Sequence, residues 1–434
     1  MLNHAQHLRG SLTLPGDKSI SHRALLFAAL GTGRSVLTGL GTGADVLGTA
    51  HCLRQLGVAI AIADDVAHVH SPGFSGWLTP AHPLDCGNSG TTMRLLIGLL
   101  AAHPRLTAQL DGDASLRKRP MARVVEPLTA MGAQIAADLG RPPLRVVGQT
   151  LHGATHVLPV ASAQVKSALL LAGLFAVGET IVQEPLPSRD HTERMLAGLG
   201  VQLRSAGTRH AIAGRGPDAQ LPALGDFAVP GDPSSAAFAV VAAVLHPNAA
   251  ITVRGFSHNP TRVGFLRVLA RMGAHVATAH PATVAGEPVG DVLAQSAVLQ
   301  ATDIAPDEVP SLIDELPILA LAAAAAHGTS QFRGLAELRV KESDRLAAIV
   351  ELLTMLGVAT QSGADWLTIV GKGSAGNFAA TPASFHPGLD HRMAMTAAIA
   401  NLCSPSRVAI GGFAEAIGSS WPGFNAAMAR LSSP

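Results

Sequence analysis

Positively charged side chains occur at several places where the sequence predicts a helix to begin. Lys18 and Arg23 lie in a polar run before an apolar helix, and Ser19 stands four residues before Arg23. The first turn of a helix presents backbone N–H groups and the positive end of the helix dipole, and both attract anions. Cations at such positions favour a small substrate with several phosphate or carboxylate groups. The full set is Lys18, Arg23, Arg94, Arg119, Arg189, Lys341, Arg345 and Arg392.

Side chains that could transfer protons lie among these cations. Asp314 precedes an apolar stretch at 316–326, Glu342 lies three residues before Arg345, and His391 follows Asp390 at another predicted helix start. A carboxylate or an imidazole beside a bound substrate can act as a general acid or base. Helix capping and surface ion pairs explain each of these runs as well when it is taken alone. The residues by themselves therefore do not select a reaction.

Composition and motifs exclude several other classes of protein. The 434 residues include 31 Lys and Arg and 30 Asp and Glu, so there is no basic excess for a nucleic acid. Aromatic residues make up only 3% and Tyr is absent, which argues against stacking on single strands. No cluster has the spacing of metal ligands, and the P-loop motif lacks its upstream Gly. The motif Gly371-x-Gly373-x-x-Gly376 is present, but no helix is predicted to follow it, which argues against a dinucleotide-binding fold.

The same reading predicts a soluble, cytoplasmic protein. The three cysteines are too few for a disulfide framework and fit a reducing compartment. The first residues lack the basic and apolar segments of a signal peptide. The apolar runs at 167–177 and 316–326 are too short to span a bilayer, so no membrane contact is expected.

A repeated pattern organises the whole chain. Leu or Met, then Gly, then Val or Ala closes an amphipathic helix five times, and these glycines should take the left-handed conformation. They are Gly57, Gly132, Gly200, Gly273 and Gly357. A shorter sixth unit, without its final strands, fits after the last of them. Six α/β units of the βαβ type contain more residues than one hydrophobic core usually organises. They therefore indicate two domains of three units, with a boundary near 227–230.

The third unit illustrates the predicted order of elements. A helix should run from Ser162 to Leu174, a strand should cover 178–182, and a second helix should cover 191–199. Elsewhere, Pro120 should lie in the first turn of a helix, and Lys341 should begin a helix that places Arg345 on the same face. A strand near 11–14 precedes the first helix and fits either domain.

Five segments together resemble the 5-enolpyruvylshikimate-3-phosphate synthase family. They cover residues 14–23, 87–94, 112–120, 339–345 and 390–395, in the order and repeats that the family shows. The resemblance implies the enolpyruvyl transferase fold, with two domains of three βαβαββ-type units around a cleft. It implies a C-terminal domain made of residues 1–14 and 231–434 and an N-terminal domain of residues 15–230.

The resemblance also implies a reaction and its site. The family transfers the enolpyruvyl group of phosphoenolpyruvate to the 5-hydroxyl of shikimate 3-phosphate, by addition and then elimination of phosphate. Asp314 would be the base for the hydroxyl, and Glu342 and Lys18 would handle the methylene proton, with His391 as a further catalytic residue. Phosphoenolpyruvate would be held by Lys18, Gly90, Arg119, Arg345 and Arg392. Shikimate 3-phosphate would be held by Lys18, Ser19, Arg23, Ser162, Gln164, Arg189, Asp314 and Lys341.

The resemblance further implies a monomer that needs no metal and no organic cofactor. Several positions depart from the best-known bacterial pattern and resemble the divergent second class of the family. Ala163 replaces a Ser that would contact phosphate, and Arg189 is expected to compensate. Ser419 stands where many members carry a Lys. That class often has Ala at the position of Gly90 and tolerates the inhibitor glyphosate, so Gly90 predicts inhibition.

Two alternatives remain at this point. A UDP-N-acetylglucosamine enolpyruvyl transferase would share the fold and the donor, but it typically has a Lys-Asn pair where this chain has Lys18 and Ser19, and a loop Cys as acid. A non-catalytic protein that binds anions would use the same cations. Asp314, Glu342 and His391 argue against it, because binding alone needs no acid–base pair.

Overall fold

The computed structural model of the protein describes residues 2, 4–381 and 383–432. The chain forms two compact units, each with its own hydrophobic core. The central unit is Lys18–Val229, and the terminal unit combines Met1–Asp17 with Pro230–Pro434. The expected domain boundaries, after residues 14 and 230, stay predictions. Residues 1, 3, 382, 433 and 434 of the expected C-terminal domain lie outside the described residues.

Both units consist of helices alternating with short strands, as the α/β reading predicts. The central unit contains α1 (Lys18–Leu30), β2 (Thr32–Thr38), α2 (Ala44–Gln55), β3 (Ala59–Ala63), β4 (Val66–Pro72), β5 (Leu84–Asp85), α3 (Gly90–Ala101), β6 (Thr107–Asp111), α4 (Ala122–Ala130), β7 (Gln134–Asp138), β8 (Arg141–Val147), β9 (Thr155–Val157), α5 (Ala163–Leu174), β10 (Glu179–Gln183), α6 (His191–Gly198), β11 (Leu203–Ala206), β12 (Arg209–Ala213) and β13 (Asp226–Ala228).

The terminal unit repeats this alternation. It contains β1 (Leu8–Thr13), α7 (Pro233–Leu245), β14 (Ala249–Ser257), α8 (Gly264–Arg271), β15 (His275–Val284), β16 (Glu287–Gln295), β17 (Asp303–Ile304), α9 (Leu316–Ala325), β18 (Thr329–Arg333), α10 (Arg345–Met355), β19 (Thr360–Ser362), β20 (Trp366–Val370), β21 (Ser384–Phe385), α11 (His391–Cys403), β22 (Ala409–Ile410), α12 (Phe413–Gly418) and α13 (Phe424–Leu431). None of the described helices has the length and apolar character needed to cross a membrane.

The first helix of each repeat is an interior helix. Every residue of α7 and of α11 is buried, and α9 is equally enclosed. A helix that is apolar on all sides must be covered on all sides, which explains why these segments show no amphipathic pattern. The second helices differ. In α8 the side chains of Phe265, Val268 and Leu269 are buried, while Arg267 and Arg271 are not.

Six small sheets follow from the six repeats. In β5–β8, β9–β12 and β17–β20 the first strand pairs in parallel with the second. The second and third strands each pair with the fourth in the antiparallel direction. The spatial order is first, second, fourth, third in every four-stranded sheet. The sixth sheet contains only β21 and β22, as the short last repeat predicts. This is the βαβαββ unit.

Two sheets take their first strand from a distant part of the sequence. β13 pairs in parallel with β2 in the central unit, although the rest of that repeat ends before residue 73. β1 pairs in parallel with β14 in the terminal unit, with Leu8 opposite Ala249. Each unit therefore begins with a repeat whose first strand is supplied by another part of the chain.

The repeated glycines close the second helices as expected. Gly57, Gly132, Gly200, Gly273 and Gly357 all have φ between 70° and 102°, in the left-handed region. A side chain is strained there, whereas glycine is not. The common conformation explains why the same residue recurs at the same place in five repeats.

Two details of the predicted helices were wrong. Lys341 does not begin α10, because a 3₁₀ turn at Ala336–Val340 and a loop precede it, and Asp344 caps the helix by accepting from the N–H of Ala347. Pro120 lies outside α4, whose first residue is Ala122. The other helices named in advance begin and end within one or two residues of the predicted limits.

Candidate active site

In the central unit, Lys18 is the first residue of α1. Its ammonium group donates to the carboxylate of Asp45 over 2.5 Å, and Asp45 lies in the first turn of α2. Both side chains are largely shielded, with 19% and 8% of their surfaces exposed. Asp45 stands 27 positions from Lys18, and nothing in the sequence near either residue signals the pair. The structure thus adds a fixed partner to a lysine that sequence reasoning had selected alone.

Arg23 is buried one turn further along α1. Its guanidinium donates to the backbone carbonyl of Ser19 and to the hydroxyls of Ser167 and Thr192, at 2.8 to 3.0 Å. The guanidinium of Arg189 donates weakly to the Ser19 hydroxyl, at 3.5 Å. Ser19, Arg23 and Arg189 therefore lie in one neighbourhood of the central unit, where α1 meets the start of α6.

The starts of α3 and α5 form a second neighbourhood. Ser89 caps α3, and Ser162 caps α5 by accepting from the N–H of Val165. The side chain of Gln164 accepts from Arg94 at 2.7 Å and donates to the hydroxyl of Thr91 at 2.8 Å. A residue predicted to hold substrate is thus held in place by a cation of the neighbouring helix.

Gly90 opens α3 beside two guanidinium groups. A Cβ atom at this position would lie 2.6 Å from one terminal nitrogen of Arg94 and 3.4 Å from one of Arg119. Arg119 is buried and donates to the side chains of Asn88 and Ser115. Glycine therefore leaves room at the position where two cations approach the N-terminus of the helix.

In the terminal unit, one buried arginine joins three carboxylates. Arg345 is 1% exposed, and its guanidinium contacts Asp390 at 2.8 Å, Asp314 at 3.0 Å and Glu342 at 2.5 Å. Burial disfavours the charge of Arg345, but the attraction of Asp390, Glu342 and Asp314 outweighs burial and raises its pKa. The guanidinium stays charged and holds the two predicted acid–base residues, Asp314 and Glu342, at one point.

Asp314 is surrounded by cations. Besides Arg345, its carboxylate lies 3.5 Å from a guanidinium nitrogen of Arg392 and 3.9 Å from the ammonium of Lys341. Arg392 also donates to the backbone carbonyl of Asp314 at 3.1 Å. Lys341 reaches this cluster from a loop, and not from the helix face that was predicted.

Asp390 is the residue of this cluster that sequence reasoning underrated. It caps α11 by accepting from the N–H groups of Arg392 and Met393, and its other oxygen accepts from Arg345 and Ser343. The sequence marks this residue only as the start of a helix. The adjacent His391 contacts the hydroxyl of Ser419 through Nδ1 at 3.2 Å, so the residue at the position of the missing Lys touches a predicted catalytic side chain.

Taken by chemistry, the described residues provide anion-binding cations in both units and paired carboxylates in the terminal unit. In the central unit lie Lys18, Ser19, Arg23, Gly90, Arg119, Ser162, Gln164 and Arg189. In the terminal unit lie Asp314, Lys341, Glu342, Arg345, His391 and Arg392. Such a set can bind phosphates and carboxylates and can exchange protons with a bound molecule.

Comparison with known proteins agrees with this chemistry. The family model described as EPSP synthase (3-phosphoshikimate 1-carboxyvinyltransferase) matches residues 2–428. A 3-phosphoshikimate 1-carboxyvinyltransferase of Synechococcus sp. is 47% identical over 98% of this chain and 97% of its own length.

Solved structures show the same relationship. The EPSP synthase of Acinetobacter baumannii superposes with a TM-score of 0.86 and 39% identity, covering 99% of this chain and 97% of that chain. The enolpyruvyl transferase NikO of Streptomyces tendae has a TM-score of 0.77 at 18% identity, covering 100% of this chain and 97% of that one, which shows a shared fold. This chain belongs to the EPSP synthase, or 3-phosphoshikimate 1-carboxyvinyltransferase, family.

Proposed function

We propose that this protein transfers the enolpyruvyl group of phosphoenolpyruvate to the 5-hydroxyl of shikimate 3-phosphate and releases phosphate. The reaction serves the shikimate pathway, which leads to the aromatic amino acids. The observation that carries the proposal is the joining of Asp314 and Glu342 by the buried guanidinium of Arg345, in a chain of this family. Two carboxylates held together by a cation suit a reaction in which protons are transferred beside two anionic substrates.

The addition step needs a base and an acid. In our proposal Asp314 accepts the proton of the 5-hydroxyl, whose oxygen then bonds to the carbon that carries the phosphate of phosphoenolpyruvate. The methylene carbon gains a proton from Glu342 or Lys18, with His391 as a further catalytic group. Lys341 and Arg392 lie beside Asp314, 3.9 and 3.5 Å from its carboxylate, where they can also meet the charges of a bound anion.

The elimination step reverses the proton transfer at the methyl carbon. That carbon returns its proton to Glu342 or Lys18, the carbon–oxygen bond to phosphate breaks, and the phosphate leaves with the proton that Asp314 took from the hydroxyl. Lys18, Arg119, Arg345 and Arg392 are proposed to hold the carboxylate and phosphate of phosphoenolpyruvate, with Gly90 giving it room. Cations that hold the phosphate also stabilise the charge that grows on it as it leaves.

The acceptor is proposed to bind mainly through hydroxyl, amide and cationic groups of the central unit. Ser19, Arg23, Ser162, Gln164 and Arg189 would hold shikimate 3-phosphate, together with Lys18, Asp314 and Lys341. Ser162 caps α5, so a bound phosphate near this residue would also meet the N-terminus of the helix. Arg189 would supply the contact that Ala163 cannot.

Phosphate release from phosphoenolpyruvate with each acceptor tests the proposal. Release with shikimate 3-phosphate and not with UDP-N-acetylglucosamine is the expected result. Release only with UDP-N-acetylglucosamine would show that the acceptor is wrong. Saturable binding of both substrates without any release would favour a protein that only binds anions.

We propose further that the enzyme works in the cytoplasm as a monomer without a metal or an organic cofactor. Turnover should be unchanged after dialysis against a chelator. Light scattering during gel filtration should give a mass close to the 44.3 kDa of one chain. Loss of turnover in the chelator, or a mass of two chains or more, would contradict these statements.

A further inference from the structure

A group of ionisable side chains is buried beneath the start of α6, and the proposed chemistry does not use it. Lys166 is 1% exposed, and its ammonium lies 2.8 Å from the carboxylate of Glu184 and 2.7 Å from that of Glu193. The imidazole of His210 faces the same two carboxylates at 3.7 and 3.9 Å. Burying several ionisable groups costs free energy unless they are paired, and these groups are paired. A function of the group would explain why it is present in the interior.

The buried group fixes the loop that carries Arg189. The ammonium of Lys166 donates to the backbone carbonyl of Ser188 at 3.4 Å, and the hydroxyl of Ser188 donates to the carboxylate of Glu184. Ser188 therefore has both its carbonyl and its side chain tied to the buried pair. Arg189 is the next residue along the chain.

The same group fixes the first turn of α6 and, through it, Arg23. Glu193 belongs to that turn and binds Lys166. Thr192, next to Glu193, donates to the hydroxyl of Ser167, the neighbour of Lys166 in α5. Arg23 donates to both of these hydroxyls at 2.8 Å. Two consecutive residues of α5 thus hold two consecutive residues of α6.

We infer that Lys166 is a positioning residue for shikimate 3-phosphate, which acts by holding the Ser188–Arg189 loop and the first turn of α6 in the geometry that binds the phosphate. The inference rests on the proposed function, because it assigns that phosphate to Arg189. It also gives a reason for the change at Ala163. With no hydroxyl there, binding depends more on Arg189, and an arginine on a loop needs support to bind well.

The test measures the two substrates separately in Lys166→Met. The dissociation constant and the KM for shikimate 3-phosphate should rise about tenfold, which corresponds to about 1.4 kcal/mol. The KM for phosphoenolpyruvate and kcat should change by less than about twofold. Leu170→Ala, at a buried apolar position of the same helix, is the control for a general loss of stability and should leave both KM values unchanged.

Two further variants keep the test decisive if Lys166→Met does not fold. Ser188→Ala removes only the hydroxyl bond to Glu184 and should weaken shikimate 3-phosphate binding in the same direction, by about threefold. The double variant Lys166→Met/Glu193→Gln removes one positive and one negative charge together, which leaves less uncompensated charge in the interior.

A double-mutant cycle distinguishes positioning from a merely structural role. If Lys166 acts largely through Arg189, its substitution should weaken shikimate 3-phosphate binding much less in an Arg189→Met background than in the wild type. Equal weakening in both backgrounds, or unchanged affinity in Lys166→Met and Ser188→Ala while the wild type turns over, would overturn this inference alone. Failure of the wild type to use shikimate 3-phosphate would instead overturn the proposed function and the inference with it.

Discussion

The ammonium of Lys18 and the carboxylate of Asp45 are 2.5 Å apart, so the lysine that opens α1 is held by a residue of the next helix. A lysine without a partner samples many rotamers, and the contact with Asp45 restricts Lys18 to fewer of them. The negative charge of Asp45 also cancels part of the positive field of Lys18. The pair lies at the N-terminus of α1, where the helix dipole adds to the attraction for an anion.

Removing Asp45 tests whether the orientation of Lys18 is needed. Asp45→Ala should lower kcat/KM for phosphoenolpyruvate by roughly 10–100-fold, the effect of losing one charge-assisted hydrogen bond worth about 1.5–3 kcal/mol. Steady-state kinetics at saturating shikimate 3-phosphate would measure it. Asp65→Ala, at an exposed position of the same unit, is the matched control. A normal kcat/KM in Asp45→Ala would mean that Lys18 needs no partner.

The carboxylates of the terminal unit should matter more for turnover than for binding. Asp314→Asn and Glu342→Gln keep the size of each side chain but remove the group that exchanges a proton. Each should lower kcat by roughly 10²–10⁴-fold, the usual contribution of a general acid or base. The dissociation constant of shikimate 3-phosphate, measured by calorimetry, should change far less. Glu351→Gln, at an exposed site of α10, is the control and should leave kcat unchanged. Wild-type turnover in both Asp314→Asn and Glu342→Gln would refute the roles of these two carboxylates.

Gly90 should make the enzyme sensitive to glyphosate. A methyl group at this position would lie 2.6 Å from Arg94 and 3.4 Å from Arg119, so one of the guanidinium groups must move. Gly90→Ala should therefore raise the concentration of glyphosate needed for half inhibition by at least about tenfold, and should also raise the KM for phosphoenolpyruvate. Gly48→Ala is the matched control, because its nearest neighbour is 3.9 Å away. Full activity of the wild type at high glyphosate would contradict the expectation.

Acid should weaken the central unit through His156. Burial lowers the pKa of this histidine below its ordinary 6.5, and its Nε2 has no hydrogen-bond partner among the described residues. The unfolded chain therefore binds a proton as the pH falls through about 6.5, whereas the folded chain binds it only at lower pH. The contribution of His156 to the free energy of unfolding is fully present above about pH 6.5. It decreases as the pH falls below that value, by at most about 1.4 kcal/mol per pH unit for one group.

Thermal unfolding between about pH 7.5 and pH 5.5 would measure this loss. His156→Gln cannot gain the proton, so its unfolding midpoint should fall less with acid than that of the wild type. His68→Gln, at an exposed position, should follow the wild type. Parallel curves for the wild type and His156→Gln would show that His156 does not contribute.

Most of the fold can be predicted from the sequence because the repeated pattern of residues is visible there. Five glycines at helix ends report a conformation that other residues avoid, and the apolar first helices report full burial. The repeat pattern does not show the distant origins of β1 and β13, because pairing between remote strands depends on the tertiary structure. Only the family resemblance assigned residues 1–14 to the C-terminal domain. The loop before α10 was also missed, since Lys341 and Arg345 have helical spacing by coincidence.

The candidate site was predictable in its charges and not in its supports. Arg345, Asp314 and Glu342 stand out as cations and acids in recognisable segments, and the structure brings them together. Asp45 and Lys166 act on residues far away in the chain, and a lone Asp or Lys in a helix carries no local mark of its partner. Sequence patterns report neighbours along the chain, whereas these contacts are made across it.

The borrowed first strands constrain the order in which the protein can form during synthesis. β1 is synthesised long before its partner β14, which begins only at Ala249, and β2 stays without its partner β13 until Asp226 has been added. Neither opening sheet can close on a nascent chain that ends inside the third repeat. An early segment with open strand edges is a site for wrong association. The growing polypeptide should therefore depend on chaperones until β13 and β14 have been translated.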